Sequence, residues 1–332
     1  MTFDWAGRRV LVTGAAGFIG SALVWALNKR DCTDIVVSDF AANAEKKRNL
    51  EPLEFREFAD AKNLLGQLDQ GGLGEFDCVF HLGACSSTTE MDEDYLRKNN
   101  FEYTRDLGRW ALERDIRFVY ASSAATYGDG GLGMDDRDLE RMKSLRPLNP
   151  YGNSKQMLDL YALDNGWLEK IVGLKYFNVF GPNEYHKGGM RSVVLKSFRQ
   201  VLDTGTIRLF KSYKKEYADG EQMRDFLYIK DAVAMTLFLA ENPEANGIFN
   251  IGSGEAHSWN ELARAIFSAL GRKPTIEYID MPETIRERYQ YFTKADIGKL
   301  RASGYSQPIL PLMSSVKDYV ENYLVPDRVL GR

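Results

Sequence analysis

Short, almost wholly apolar runs alternate along the first half of the chain with longer stretches in which apolar residues recur every three or four positions. Arg9-Val-Leu-Val-Thr13, Ile35-Val-Val-Ser-Asp39, Asp77-Cys-Val-Phe-His-Leu82, Phe118-Val-Tyr-Ala121 and Ile171-Val-Gly-Leu-Lys-Tyr-Phe177 read as strands, with another over residues 55–58. Strands that are apolar on both faces belong to a parallel sheet with helices on each side. The pattern through Ala22, Leu23, Ala26 and Leu27 supplies one such helix, and the run from Pro150 to Leu163 another. The alternation predicts an α/β fold on a doubly wound, Rossmann-type parallel sheet. Beyond Pro182 the pattern is less regular: a helix to Leu202, a hydrophilic insertion over 211–222, a helix from Ala232 to Ala240, and a strand at Ile248-Phe-Asn-Ile251. A short charged helix is expected over 135–141, and a capping box joining Ser87 to Glu90.

Composition narrows the function classes. With 332 residues the chain can bury a sizeable core in about two structural units. A hydrophobic content of 44% and a charged content of 27% are those of an ordinary globular protein. The net charge of −4 and pI near 5.6 give no general reason to expect nucleic acid or an anionic membrane. No apolar run reaches the roughly 18–20 residues of a membrane span, and no signal segment opens the sequence, so a cytoplasmic protein is expected. Cys32, Cys78 and Cys85 are too few for a disulfide framework, and His81, His186 and His257 lie too far apart to suggest a metal site.

The first strand runs into Gly14-Ala-Ala-Gly17-Phe-Ile-Gly20 and then a helix. In that setting Gly14 permits a tight turn, Gly17 lets backbone approach a pyrophosphate, and Gly20 lets helix pack on strand, with the phosphates at the helix N-terminus. The spacing is a variant of the dinucleotide fingerprint. Asp39 closes the second strand where a carboxylate receives the adenosine ribose hydroxyls, which argues for NAD; Lys46, Lys47 and Arg48 could instead meet a 2′-phosphate. Gly83-Ala-Cys-Ser-Ser-Thr-Thr89 follows the fourth strand, at the carboxyl edge where ligands dock.

Tyr151 and Lys155 stand four apart on the helix expected after Pro150, one above the other. A free tyrosine, with a pKa of about 10, is a poor base near neutrality, and a neighbouring ammonium pulls that value down. The spacing alone is weak, because such pairs arise by chance. Ser123, at the end of the fifth strand, completes a serine, tyrosine and lysine set suited to moving a proton on a hydroxyl or carbonyl oxygen.

These residues together resemble the extended short-chain dehydrogenase/reductase superfamily over almost the whole chain. Phe80-His-Leu-Gly-Ala-Cys-Ser-Ser-Thr-Thr-Glu90, Tyr120-Ala-Ser-Ser-Ala-Ala-Thr-Tyr-Gly128, Tyr176-Phe-Asn-Val-Phe-Gly-Pro182, His186-Lys-Gly188 and Arg288-Tyr-Gln-Tyr-Phe-Thr293 are similar to one member family, the ADP-L-glycero-D-manno-heptose 6-epimerases. The resemblance implies an isomerase of lipopolysaccharide inner-core precursor synthesis that inverts carbon six of ADP-D-glycero-β-D-manno-heptose. The C6–H bond of a secondary alcohol is not acidic, so inversion implies oxidation to the 6-ketone and re-reduction on the other face. It also implies a tightly held nicotinamide cofactor restored at each turnover. Lys46 at its family position tilts the reading to NADP, with NAD left open.

By the same resemblance Tyr151 and Lys187 serve as the two proton-transfer groups, with Ser123 assisting and Lys155 orienting the cofactor ribose. Gly17, Phe18 and Ile19 fall at the phosphate turn, Asp39, Phe40 and Lys46 near the adenosine ribose, and Leu82, Gly83, Ala84, Cys85, Ser86, Asn99, Val179 and Lys187 along the cofactor. Ser86, Asn178, Gly189, Lys196, Phe210, Arg224 and Tyr289 fall at substrate positions. Gly189, Lys196 and Phe40 depart from the family pattern, and the 211–222 segment is long for it. The implied organisation is a dinucleotide-binding unit of residues 1–177 with 225–258, and a smaller mixed α/β substrate unit of 178–224 with 259–332. The family also implies a homo-oligomer, often a pentamer.

Two other readings stay open. A UDP-hexose 4-epimerase shares the glycines, Ser123, Tyr151 and Lys155 but does not need Lys187, and a cofactor-binding sensor would turn nothing over. A sugar-nucleotide 4,6-dehydratase needs acidic groups where Ala124 and Ala125 stand.

Overall fold

The computed structural model describes residues 4–40, 44–286 and 289–332; Arg288, which opens one of the motifs above, lies outside them. Seven described strands form one sheet: β1 (Val10–Thr13), β2 (Ile35–Asp39), β3 (Glu57–Asp60), β4 (Cys78–His81), β5 (Arg117–Ser123), β6 (Val172–Tyr176) and β7 (Gly247–Ile251). Their order is β7-β6-β5-β4-β1-β2-β3, and every neighbouring pair is parallel. Val10 pairs with Ile35 on one side and with Cys78 on the other, so the chain's course reverses between β1 and β4. In a doubly wound sheet that reversal opens a crevice at the carboxyl ends of the strands, where ligands bind. Gly14, Asp39, Leu82 and Ser123 all lie at that edge.

Burial explains why the strands were readable. All residues of β1, β2, β4, β6 and β7 are buried, so apolar side chains fill both faces. The third strand is different: it is the outer strand on the β2 side of the sheet, Phe58 is exposed, and the strand begins at Glu57 instead of residue 55. A half-exposed edge lacks the continuous apolar run that marks the interior strands. Helix α1 (Phe18–Asn28) packs against the Ile229–Glu241 helix on one face. That apolar layer continues without a break through Leu262 and Ile266 to Val316 and Tyr319 near the C-terminus. A second apolar layer, including Leu107, Trp110 and Leu158, covers the other face.

Two local expectations are corrected. Ser87 and Glu90 form no capping box: Glu90 accepts from the amides of Met91 and Asp92, and the next helix, Glu93–Leu96, is capped by Asp92. The charged helix is only Leu139–Met142, capped by Asp138, because Asp136 is drawn into the interior to accept from the Asn250 amide at 2.6 Å.

The remaining chain is mixed α/β. Ile207–Phe210 pairs with Ile276–Ile279, Asn178–Phe180 with Phe226–Tyr228, and Met223–Arg224 with His257–Ser258. Around them lie the helices Val193–Thr204, Trp259–Ala269 and Leu312–Tyr319. Among the described residues no helix is long and apolar enough to cross a membrane.

Candidate functional site

The glycine turn after β1 is built on close backbone approach. Gly14 has φ +66°, and a Cβ there would sit 2.6 Å from the amide nitrogen of Gly83. At Gly20 a Cβ would fall 2.1 Å from the Gly14 carbonyl oxygen. Only glycines let the turn, the first helix and the backbone after β4 meet this tightly. The N-terminus of α1 starts from Gly17 with no side-chain cap, leaving amide donors open toward a cavity of about 470 Å³. From the turn that cavity is lined by Gly14, Gly17, Phe18, Ile19 and Gly20, and from β2 by Asp39, Phe40 and Lys46. Leu82, Gly83, Ala84, Cys85 and Ser86, then Asn99 and Lys187, line it too, whereas Val179, also expected along the cofactor, does not.

Asp39 is buried at the far end. Its Oδ2 accepts from the Ala16 amide at 3.1 Å, and its Oδ1 from the Phe40 amide at 2.8 Å and Lys46 Nζ at 3.0 Å. Uncapped helix donors, a cradle that a Cβ would fill and a carboxylate one strand over fit a dinucleotide.

His81, at the end of β4, was missed as a functional residue and organises this turn. Thr104 Oγ1 donates to the Asn100 carbonyl at 2.7 Å, so toward His81 Nε2, at 2.9 Å, it accepts. The ring is therefore the Nε2–H tautomer, and Nδ1 accepts from the Thr13 hydroxyl at 2.6 Å. Thr13 Oγ1 in turn accepts from the Gly83 amide at 3.2 Å. Burial first, and the Lys155 charge second, pull the His81 pKa down to about 3, which keeps it neutral.

A second cavity of about 800 Å³ adjoins the first and shares Phe18, Leu82, Ser86 and Lys187 with it. Tyr151 lines it from the start of α2 (Pro150–Asp164). Pro150 opens that helix and the Asn149 side chain accepts from the Gly152 amide at 2.8 Å, both helix-start signals. Lys155, one turn on, is buried and donates to the Ala121 carbonyl at 2.9 Å. Burial lowers its pKa to about 8, with the Asp159 charge opposing.

Tyr151 does not behave as the spacing suggested. Burial raises its pKa, with the neighbouring Ser123 side chain opposing. Desolvation of the phenolate outweighs any pull from the ammonium, whose hydrogen bond goes to backbone. Lys187 enters from the Tyr185–Met190 turn, its Nζ 5.3 Å from the centre of the Phe18 ring. Burial lowers its pKa, Glu184 opposes, and Lys196 adds to the lowering.

Ser123, Asn178, Val179, Arg224 and Tyr289 also line the larger cavity. Gly189, Lys196 and Phe210 do not: Gly189 is exposed, Lys196 sits in the field of Glu184, and Phe210 meets Tyr289 edge-on at 6.4 Å. Arg224 is buried over the rings of Trp259 at 5.5 Å and Tyr289 at 5.2 Å. The ion pair of Asp159 with Lys175, at 3.0 Å and almost fully buried, was also missed. A lysine inside the apolar sixth strand was its one sequence signal.

Comparison with known proteins gives a consistent picture. Residues 10–252 match the model of the NAD dependent epimerase/dehydratase family. The ADP-L-glycero-D-manno-heptose-6-epimerase of Nitratidesulfovibrio vulgaris strain Hildenborough is 49% identical over 315 residues, 95% of this chain and 97% of that protein. The protein of the same name from Fusobacterium nucleatum is 44% identical over 327 residues, 96% of this chain and 98% of that one. The crystal structure of the Helicobacter pylori ADP-L-glycero-D-manno-heptose-6-epimerase superposes with a TM-score of 0.80 at 29% identity, covering 96% of each chain.

Proposed function

The chain belongs to the NAD dependent epimerase/dehydratase family, and on that premise we propose that it is the isomerase that inverts carbon six of ADP-D-glycero-β-D-manno-heptose. The observation that carries the reading is the pairing of Tyr151 and Lys187, two proton-transfer groups from different elements, on one cavity adjoining the dinucleotide turn.

The smaller cavity, with the glycine turn at Gly14 and Gly17 and Asp39 on its wall, would hold a nicotinamide cofactor, which would supply reversible hydride transfer at carbon six with no net redox change. The side chains do the rest. Burial pushes the two proton carriers in opposite directions, Lys187 down and Tyr151 up. Lys187 is thereby favoured as the base that removes the carbinol proton, and Tyr151 as the acid that delivers one to the ketone oxygen, exchange with solvent returning Lys187 to the amine and Tyr151 to the phenol before the next turnover. Ser123, which lines the same cavity beside Tyr151, assists it. Lys155 carries its charge toward the cofactor ribose, and Asp39 receives the adenosine ribose with Lys46 beside it. That lysine supports NADP over NAD. Arg224, on the larger cavity, receives the diphosphate of the substrate.

In the same reading residues 178–224 and 259–332 form the substrate-binding unit, and the protein works as a cytoplasmic homo-oligomer supplying a lipopolysaccharide inner-core precursor. The test is to incubate the purified protein with ADP-D-glycero-β-D-manno-heptose, no cofactor added, and follow carbon six by proton NMR. Conversion to the L-glycero epimer supports the assignment, and mass spectrometry of the denatured protein then names the resident nucleotide. No conversion, with NADP or NAD supplied, overturns it and moves the search to UDP-hexoses.

A further inference from the structure

Arg224 is buried to 7% exposure, yet the one hydrogen bond its side chain makes among the described residues runs from Nη1 to the neighbouring Met223 carbonyl, at 2.8 Å. Its guanidinium is held instead by ring faces, and what holds those rings decides how well it is aimed. Trp259 Nε1 donates to the Tyr289 hydroxyl at 2.9 Å, which ties the two rings together. Tyr289 then leans edge-on against Tyr291, the ring centres 5.2 Å apart.

Tyr291 is where the hydrophilic 211–222 segment enters. Tyr217 packs on it with ring centres 5.3 Å apart, Lys214 Nζ lies 4.8 Å from its ring centre, and its hydroxyl accepts from the Tyr213 amide at 3.0 Å. The segment is itself anchored: the Asn260 side chain donates to the Asp219 carbonyl, and the Asn260 amide to the Gly220 carbonyl, both at 3.0 Å. None of Tyr213, Lys214, Tyr217 or Tyr291 lines the 800 Å³ cavity.

We propose that the 211–222 segment sets affinity for the diphosphate end of the substrate, with Tyr217 as a positioning residue that aims Arg224 through Tyr291 and Tyr289. This rests on the reading of that cavity as the sugar-nucleotide site. An aromatic stack of this kind fixes a ring at low entropic cost, and a planar guanidinium on a fixed ring is preorganised for two phosphate oxygens. The segment acts on binding and leaves the proton-transfer groups alone, because Tyr151 and Lys187 come from other elements.

The test uses the protein saturated with its nicotinamide nucleotide, so that ADP cannot enter the smaller cavity. ADP binding is measured by calorimetry, and steady-state turnover of the ADP-heptose by NMR, for the wild type, Tyr217→Ala, Tyr217→Phe and Lys214→Ala. Tyr217→Ala is expected to weaken ADP binding and raise KM by about threefold to tenfold, the range of one lost aromatic pair. Its kcat and bound nicotinamide stay at wild-type values, and Tyr217→Phe, which keeps the ring, restores the affinity. Lys214→Ala, at an exposed position, gives a smaller loss of the same kind and carries the test should Tyr217→Ala not fold. An ADP affinity within twofold of wild type in both alanine variants overturns the inference and leaves the sugar-nucleotide reading standing. A fall in kcat, cofactor content and ADP affinity together also overturns it, since that is what general destabilisation produces. Wild-type protein that binds no nucleoside diphosphate overturns both.

Discussion

Replacing His81 with leucine separates two things the buried imidazole does. In the native chain it is neutral and bridges the hydroxyls of Thr13 and Thr104, and Thr13 holds the Gly83 amide of the cofactor cavity. His81→Leu leaves the Thr13 proton without an acceptor, at a cost of about 1–3 kcal/mol for one unpaired buried hydroxyl. The second effect depends on pH. The folded pKa, about 3, lies below the ordinary value of 6.5, so between the two the unfolded chain holds a proton that the folded chain does not. The resulting stability is fully present above pH 6.5 and drains away as the pH falls toward 3. At pH 5, about 1.5 pH units below the unfolded value, the loss is about 2 kcal/mol. Leucine cannot titrate. Urea unfolding of both proteins at pH 7 and pH 5 should therefore show the wild-type advantage shrinking by about 2 kcal/mol at the lower pH, with every other titrating group cancelling in the difference. An advantage of equal size at the two pH values would refute the neutral, buried imidazole and the tautomer drawn from its partners.

The proton carriers make sharper claims about rate. Tyr151→Phe should lower turnover about 10²- to 10⁴-fold while the purified protein keeps its nicotinamide; a smaller loss would remove the tyrosine from the chemistry. Lys187→Met, which keeps the stem over Phe18, should slow inversion by a similar factor with native stability in a thermal melt, and near-normal inversion would assign the second proton elsewhere. Lys155 is charged below its pKa of about 8 and neutral above it, so turnover should decline as the pH rises through 8. A profile level from pH 7 to 10 would show that this charge is not used.

The elements that carry the site were legible because their physics is local. Five strands bury every residue, so a largely apolar run marked each of them, and the glycines of the first turn announce themselves within one strand-turn-helix unit. What stayed hidden depends on partners distant in sequence. Asp136 reads as one more charge in an acidic run until Asn250, 114 positions away, is found against it. His81 reads as a strand residue until Thr13 and Thr104 arrive from two other elements. The direction of the Tyr151 shift was misjudged for the same reason. Spacing reports that a lysine is one turn away, but only the packed cavity shows that burial outweighs it.

Burial is also what gives the larger cavity its chemistry. Lys155, Lys187 and Arg224 line it, and for each of them desolvation is the leading cause of a lowered pKa. The acids that oppose are compromised. Asp159 is already paired with Lys175 and with the hydroxyls of Tyr120 and Ser122, and burial raises the pKa of Glu184, so its charge is itself costly. Arg224 makes no ion pair among the described residues, its guanidinium lying over the rings of Trp259 and Tyr289. Cations held this way destabilise the fold, since desolvation is not repaid without a well-placed anion. In the proposed reading the diphosphate of the substrate supplies that anion to Arg224. The same low-dielectric setting makes Lys187 easier to deprotonate and Tyr151 harder, which in the proposed mechanism separates base from acid. One physical cause, burial, thus underlies both the proposed binding of phosphate at Arg224 and the proposed division of proton transfer.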